Sequence, residues 1–159
     1  MSRQMSLDVG TKTVGVAVSD PLGMFAQPVE TIARTGRKAD VARIRELADQ
    51  YTPVRIVIGL PIGTDGSEMS SAEEARRMAL AVARVVECEV VLIDERFTTA
   101  QAERVLIAGG MRRKKRKKVI DQAAAVLILQ QWLDGPFGGE VVTPESDASS
   151  TDASAKEGE

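Results

Sequence analysis

Residues 54–60, Val-Arg-Ile-Val-Ile-Gly-Leu, constrain the fold more than any other stretch of the chain. Apart from Arg55 the run is apolar at both odd and even positions, so a strand built from it must bury both faces. Pro53 in front and Gly59-Leu60-Pro61 behind hold it to strand length. A strand covered on both sides is central and parallel, and parallel strands need crossover connections, which are usually helices. The flanks supply them. Residues 37–51 place Val41, Ile44, Leu47, Ala48 and Tyr51 at three- and four-residue spacing, and Ala75, Met78, Ala79, Val82, Val85 and Val86 form a second helical stripe behind Glu73 and Glu74, with Ser70 or Ser71 as cap.

Before this half the pattern has period two. Met5, Leu7 and Val9 alternate with Gln4, Ser6 and Asp8, and after Gly10-Thr11-Lys12-Thr13 the residues Val14, Val16 and Val18 alternate with Gly15 and Ala17. This predicts a hairpin with its apolar side chains on one face and Asp8 on the other, where small neighbours leave room for a ligand. A third extended run over 25–33, with Val29 and Ile32 as core candidates, follows the turn Asp20-Pro21-Leu22-Gly23. Residues 89–93 read as a strand ending in Asp94-Glu95-Arg96, Thr98 or Thr99 caps a helix carrying Ala102, Val105 and Leu106, and residues 119–132 return to helical spacing with Asp121 in the first turn. The expected fold is α/β, with a mixed central sheet of three antiparallel strands followed by parallel strands, flanked by helices.

At 159 residues the chain suits one domain with a tail. Residues 1–138 are assigned to the domain, and residues 139–159, rich in Gly, Ser, Thr, Asp and Glu, to an acidic disordered tail whose removal from 140 onward is expected to leave the fold intact. The whole chain carries −2, and residues 140–159 hold six acidic residues against one lysine, so the remainder carries +3. Seven consecutive cations, Arg112, Arg113, Lys114, Lys115, Arg116, Lys117 and Lys118, concentrate that charge after Gly109-Gly110. A run of this kind is commonly a solvated charge block. Between ordered elements and next to Asp121 it reads instead as a phosphate contact, with Lys12 and Arg96 as further candidate substrate contacts that ordinary surface charge explains equally well.

Histidine is absent, which removes His general bases, Ser-His-Asp and Cys-His pairs, and, with Cys88 as the lone cysteine, any ordinary zinc site. Carboxylates and lysines must carry any chemistry, with a hard cation that prefers oxygen ligands. One cysteine, no basic-apolar leader and no long apolar run lead to the expectation of a cytoplasmic protein without a membrane segment. The Gly-rich segment 59–66 lacks the Gly-Lys-Ser/Thr ending of a phosphate-binding loop.

Asp8 in the first strand, Glu95 at the end of a later strand and Asp121 on the last helix could converge in such a sheet. Three close carboxylates favour a divalent cation that would activate water against a phosphodiester. Each residue also has a plainer explanation. Asp8 could cap the Gly10 turn, Glu95 could pair with Arg96 while Asp94 took its role, and Asp121 could be a favourable charge at a helix N-terminus.

Four motifs then stand in order: Leu-Asp-Val-Gly-Thr-Lys-Thr-Val-Gly-Val-Ala-Val-Ser-Asp (7–20), Val-Ile-Gly-Leu-Pro-Ile-Gly-Thr-Asp-Gly (57–66), Asp-Glu-Arg-Phe-Thr-Thr (94–99) and Lys-Lys-Val-Ile-Asp-Gln-Ala-Ala-Ala (117–125). Over residues 4–134 the chain resembles the YqgF/RuvX family. The resemblance implies an RNase-H-like fold and a nuclease that processes the 5′ end of precursor 16S ribosomal RNA in ribosome biogenesis or resolves Holliday junctions. It also implies Asp8, Glu95 and Asp121 as catalytic and metal-ligating carboxylates, with magnesium or manganese as cofactor. Phe97, where an aliphatic residue is more usual, and the acidic tail depart from the family pattern away from those carboxylates. Cutting a symmetric junction calls for two paired sites, so a homodimer goes with that substrate. Two other functions share these features: a non-catalytic RNA-binding ribosome-assembly factor that keeps the nuclease fold, and an actin- or sugar-kinase-like ATPase, for whose second lobe the chain is too short.

Overall fold

A computed structural model describes residues 2–60, 66–94, 113–135 and 139–144. Strands β1 (Gln4–Val9), β2 (Thr13–Ser19) and β3 (Ala26–Ala33) lead into helix α1 (Arg37–Tyr51), strand β4 (Arg55–Leu60), helix α2 (Gly66–Ala83), strand β5 (Glu89–Asp94), helix α3 (Arg113–Asp134) and strand β6 (Glu140–Val142). The six strands form one sheet in the order β3-β2-β1-β4-β5-β6. β1/β2, β2/β3 and β5/β6 are antiparallel, and β1/β4 and β4/β5 are parallel. The expected mixed sheet is therefore present, with the 54–60 run at its centre. Pro28 sits on the edge strand β3 where the β2/β3 register shifts, a place where a missing N–H is tolerated.

One face of the sheet, with Met5, Leu7, Val14, Val16, Ile56, Ile58 and Leu92, packs against Ile44 and Leu47 of α1 and Met78 and Val82 of α2. Val57, Val91 and Ile93 on the other face meet Ile128 of α3, while Ala17 meets Ala125 and Leu129. Each fully buried Leu or Ile contributes about 1.5–3 kcal/mol, which makes this two-sided burial the main stabilising term. Helix α1 spans the residues that its spacing predicts. It ends at Thr52, which adopts a left-handed conformation and returns its N–H to the Ala48 carbonyl, immediately before Pro53.

Two helix starts differ from expectation. Helix α2 starts at Gly66, so Ser70 and Ser71 lie within it and are not caps. Helix α3 starts at Arg113, so six of the seven cations are helical residues and Asp121 belongs to the third turn, not the first. Lys and Arg are good helix formers whose mutual repulsion water screens, so the cationic run extends the helix. The helix expected behind Thr98 or Thr99 lies outside the described residues.

Strand β6 lies inside the segment that composition assigns to the tail. Val141 and Val142 pair with Val91 and Val90, and Gly139 approaches Val91 so closely that a Cβ there would collide with its side chain. A three-residue strand is too short to show a period, and its driving force is the open edge of β5. Ending the chain after residue 139 is therefore expected to expose that edge, break the Arg76–Glu140 ion pair and lower the melting temperature by about 3–8 °C. Ending it after residue 144 should shift the melting temperature by less than about 1 °C. A calorimetric scan of both truncations decides between them.

Candidate active site

Asp8 is half-buried near the end of β1, on the sheet face that α3 covers. Gly15 stands opposite it on β2, and Thr31 stands opposite Gly15 on β3, so the row reads Asp8, Gly15, Thr31. On the other side the parallel register runs to Leu7 opposite Ile58, and Gly59 follows on β4. Glycine at position 15 leaves bare backbone between the Asp8 carboxylate and the Thr31 side chain. The Thr31 Oγ1 is buried without a hydrogen-bond partner, an uncommon state for a hydroxyl that a bound polar group would relieve.

The face is less open than the alternation suggests, because Ser6 is completely buried. Its hydroxyl donates a 2.6 Å hydrogen bond to the Ala125 carbonyl of α3. Towards its other end the helix is fastened by Trp132, whose indole N–H donates to Gln4 Oε1 at 2.8 Å, and the Arg55 guanidinium lies 5.6 Å from the Trp132 ring. As the helix advances from Ala125 to Trp132, its partners on β1 go back from Ser6 to Gln4, so the two elements run antiparallel. One turn of helix before Ala125, about 5.4 Å, therefore leads in the direction of Asp8, two strand residues or about 6.6 Å beyond Ser6. Asp121 occupies that turn of the helix backbone. A position so far inside α3 also lies beyond the reach of the N-terminal dipole, which fades within the first turn.

Asp8 is the one member of the expected triad with a described side chain; Glu95, Arg96 and Arg112 lie outside the described residues. Asp94 ends β5 opposite Leu60, in the phase of Val90 and Leu92 and hence on the α1/α2 side of the sheet. Lys12 is exposed in the β1–β2 turn beside Asp8, and Arg113 and Lys114 to Lys118 form the opening turns of α3. Among the described residues no three His, Cys, Asp or Glu side chains are grouped to hold a metal ion, and no helix is long and apolar enough to cross a membrane.

The turn that follows Asp8 is held from below by an arginine. Arg34 donates from Nη1 to the Gly10 carbonyl at 2.9 Å, from Nε to Asp40 Oδ2 at 3.0 Å and from Nη2 to Glu74 Oε1 at 2.9 Å. Its backbone N–H donates to the Lys12 carbonyl at 2.9 Å. Asp40, 1% exposed, also accepts the Thr35 N–H, and Glu74 also accepts Arg37. Burial pushes the Glu74 carboxyl up, but hydrogen bonds from Arg37 and Arg34 outweigh it and hold the group below the ordinary glutamate range. Within the turn Gly10 N–H donates to the Thr13 carbonyl at 2.8 Å, and a Cβ at Gly10 would stand 3.0 Å from that oxygen.

The sequence pattern of the family described as "RuvX: Holliday junction resolvase" matches residues 2–135. The chain belongs to the RuvX family. Relatives from Lactococcus lactis subsp. cremoris (strain SK11) and Halalkalibacterium halodurans, each called "Putative pre-16S rRNA nuclease", are 53% identical over 135 residues and 50% identical over 134. The alignments cover 84% and 83% of this chain and 94% and 96% of the relatives. A relative of the same name from Myxococcus xanthus (strain DK1622) is 47% identical over 132 residues, 83% of this chain and 87% of that one. T. thermophilus RuvC, solved in complex with a Holliday junction substrate, superposes with a TM-score of 0.58 at 15% identity, covering 89% of this chain and 100% of that one. At that identity the likeness is one of fold, and it bears out the RNase-H-like α/β architecture.

Arg34, Asp40, Glu74 and Thr31 are the residues near the RuvX site that sequence reasoning misses. Arg34 sits where three elements meet, and the separations of Gly10, Asp40 and Glu74 from it follow no local period. The available signal is weak: an aspartate early in an otherwise ordinary amphipathic helix, following an arginine at a strand end.

Proposed function

We propose that this RuvX-family protein is a nuclease that hydrolyses phosphodiester bonds in structured nucleic acid, using Asp8, Glu95 and Asp121 around a divalent cation, magnesium or manganese. One observation carries the reading: Asp8 stands on a row cleared by Gly15, at the level towards which the Ser6–Ala125 anchor directs the turn of α3 that contains Asp121. The donors are all carboxylate oxygens in a chain without histidine, which suits a hard cation, and the unpartnered Thr31 hydroxyl adds a polar atom on the same row. Strand phase counts against Asp94 as the alternative, because it shares the phase of Val90 and Leu92 on the α1/α2 side of the sheet, away from α3.

A bound cation would supply the electrophile for the phosphodiester and lower the pKa of the attacking water. The chain's own part is to hold the carboxylates at fixed spacing and to keep bulky side chains away from the row through Gly15. Lys12, Arg96 and the cations 112–118 retain the phosphate backbone beside it.

The names of the relatives favour precursor 16S ribosomal RNA as substrate and a cytoplasmic setting, while the family description favours a four-way DNA junction and with it a homodimer. The deciding experiment incubates the protein with precursor RNA fragments and synthetic four-way junctions side by side, in magnesium or manganese. RNA cut at its 5′ side by a monomer supports processing, and paired nicks in the junction by a dimer support resolution. Binding that survives EDTA without cleavage of either substrate would overturn both in favour of an assembly factor.

A further inference from the structure

We infer that Arg34, clamped by Asp40 and Glu74, is a positioning residue for the site: it fixes the Gly10–Thr13 turn and, through it, the geometry at which Asp8 binds its cation. The inference rests on the assignment of Asp8 made above.

The geometry goes beyond an ordinary ion pair. All three nitrogens of the Arg34 guanidinium are used, each on a different element: Nη1 on the turn, Nε on α1 and Nη2 on α2. The side chain is 13% exposed, so water competes little for these bonds. The backbone N–H of the same residue holds the turn a second time, at Lys12. Two carbonyls of the turn, at Gly10 and Lys12, are thus tied to one arginine, and that arginine is tied to two helices behind the sheet. Asp8 is two residues from the first of these carbonyls.

Were the cluster there only to stabilise the fold, the carboxylates alone could satisfy the guanidinium, and the Gly10 carbonyl would be free to face water. The planar fork instead spends one donor on the turn. A lysine at position 34 would keep the charge beside Asp40 but, as a single ammonium on a flexible stem, could not span all three elements. It therefore separates charge compensation from positioning.

The test compares wild type with Arg34→Lys, Glu74→Gln, Asp8→Asn and Arg43→Lys. The last breaks the fork between Arg43 of α1 and Glu30 of β3, whose bonds join those two elements. Three readouts are taken: amide exchange at residues 10–13, affinity for manganese alone by electron paramagnetic resonance, and single-turnover cleavage of a four-way junction with its binding constant. Loss of an outer-shell support commonly costs metal sites about 10–100-fold. Arg34→Lys is accordingly expected to speed exchange in the turn and weaken manganese about tenfold or more, with a matching loss in cleavage rate. Junction affinity should stay within about twofold, because positioning acts through Asp8 and not on phosphate contacts. Glu74→Gln should show the same pattern more weakly, and Arg43→Lys none of it.

If Arg34→Lys melts earlier but keeps wild-type manganese affinity and cleavage, the cluster is a structural ion pair and the inference fails. An Arg34→Lys that does not fold leaves Glu74→Gln to decide by the same readouts. Wild-type manganese affinity and cleavage in Asp8→Asn overturn the Asp8 assignment and this inference together. Loss of both in Asp8→Asn with none in Arg34→Lys overturns the inference alone.

Discussion

Asp8→Asn should lower single-turnover cleavage of a precursor RNA fragment or a four-way junction by more than about 100-fold, since even outer-shell partners of metal ligands are worth about 10–100-fold. Asparagine keeps the shape of the side chain and one carbonyl oxygen but removes the negative charge that the cation needs. The substitution leaves the packed face of β1 untouched, because Met5, Leu7 and Val9 point to the opposite side of the sheet. Folding should survive, with far-UV circular dichroism unchanged, so that loss of activity reports on the site. Cleavage within tenfold of wild type in both magnesium and manganese would remove Asp8 from the mechanism.

Changing Lys114, Lys115, Lys117 and Lys118 together to Gln should flatten the salt dependence of nucleic-acid binding. Each phosphate contact contributes a log-log slope of about 0.9 on duplex DNA and about 0.7 on single strands, so four contacts would account for about 3–4 units. Glutamine has nearly the helix propensity of lysine, so α3 should persist in the variant. Single substitutions of these lysines should each reduce the slope by about one unit. A filter-binding titration over a range of salt concentrations reads the slope directly, and an unchanged value in the fourfold variant would place the binding face elsewhere.

Legibility in the sequence followed the range of the interactions. Helix α1 was readable from Val41, Ile44, Leu47 and Ala48, all of which are buried where the period places them. The 54–60 run announced a strand covered on both faces, and β4 has five consecutive buried residues after Arg55. Asp8 stood out as a carboxylate in an otherwise apolar alternation, opposite the small residue that proved to be its cross-strand neighbour. These properties depend on residues within a turn or a strand of one another, where spacing alone decides which side chains share a face.

What spacing could not reveal were the contacts that close the site. Ser6 looked like a partner of Asp8 on an open face, yet it is buried beneath α3 through a bond to Ala125, 119 residues away. Helix α3 starts six residues before the apolar period at Val119, because a block of like charge carries no period although its residues are good helix formers. Strand β6 exists because β5 has an edge to cover, and Arg34 clasps the Asp8 turn because β3, α1 and α2 happen to meet there. The sequence by itself determined strands β1 to β5, the three helices that follow or join them, their order and the carboxylate to watch. Only the tertiary structure decided which face of β1 is covered and what holds the Gly10 turn still, because those depend on long-range packing and on buried polar groups finding partners far along the chain.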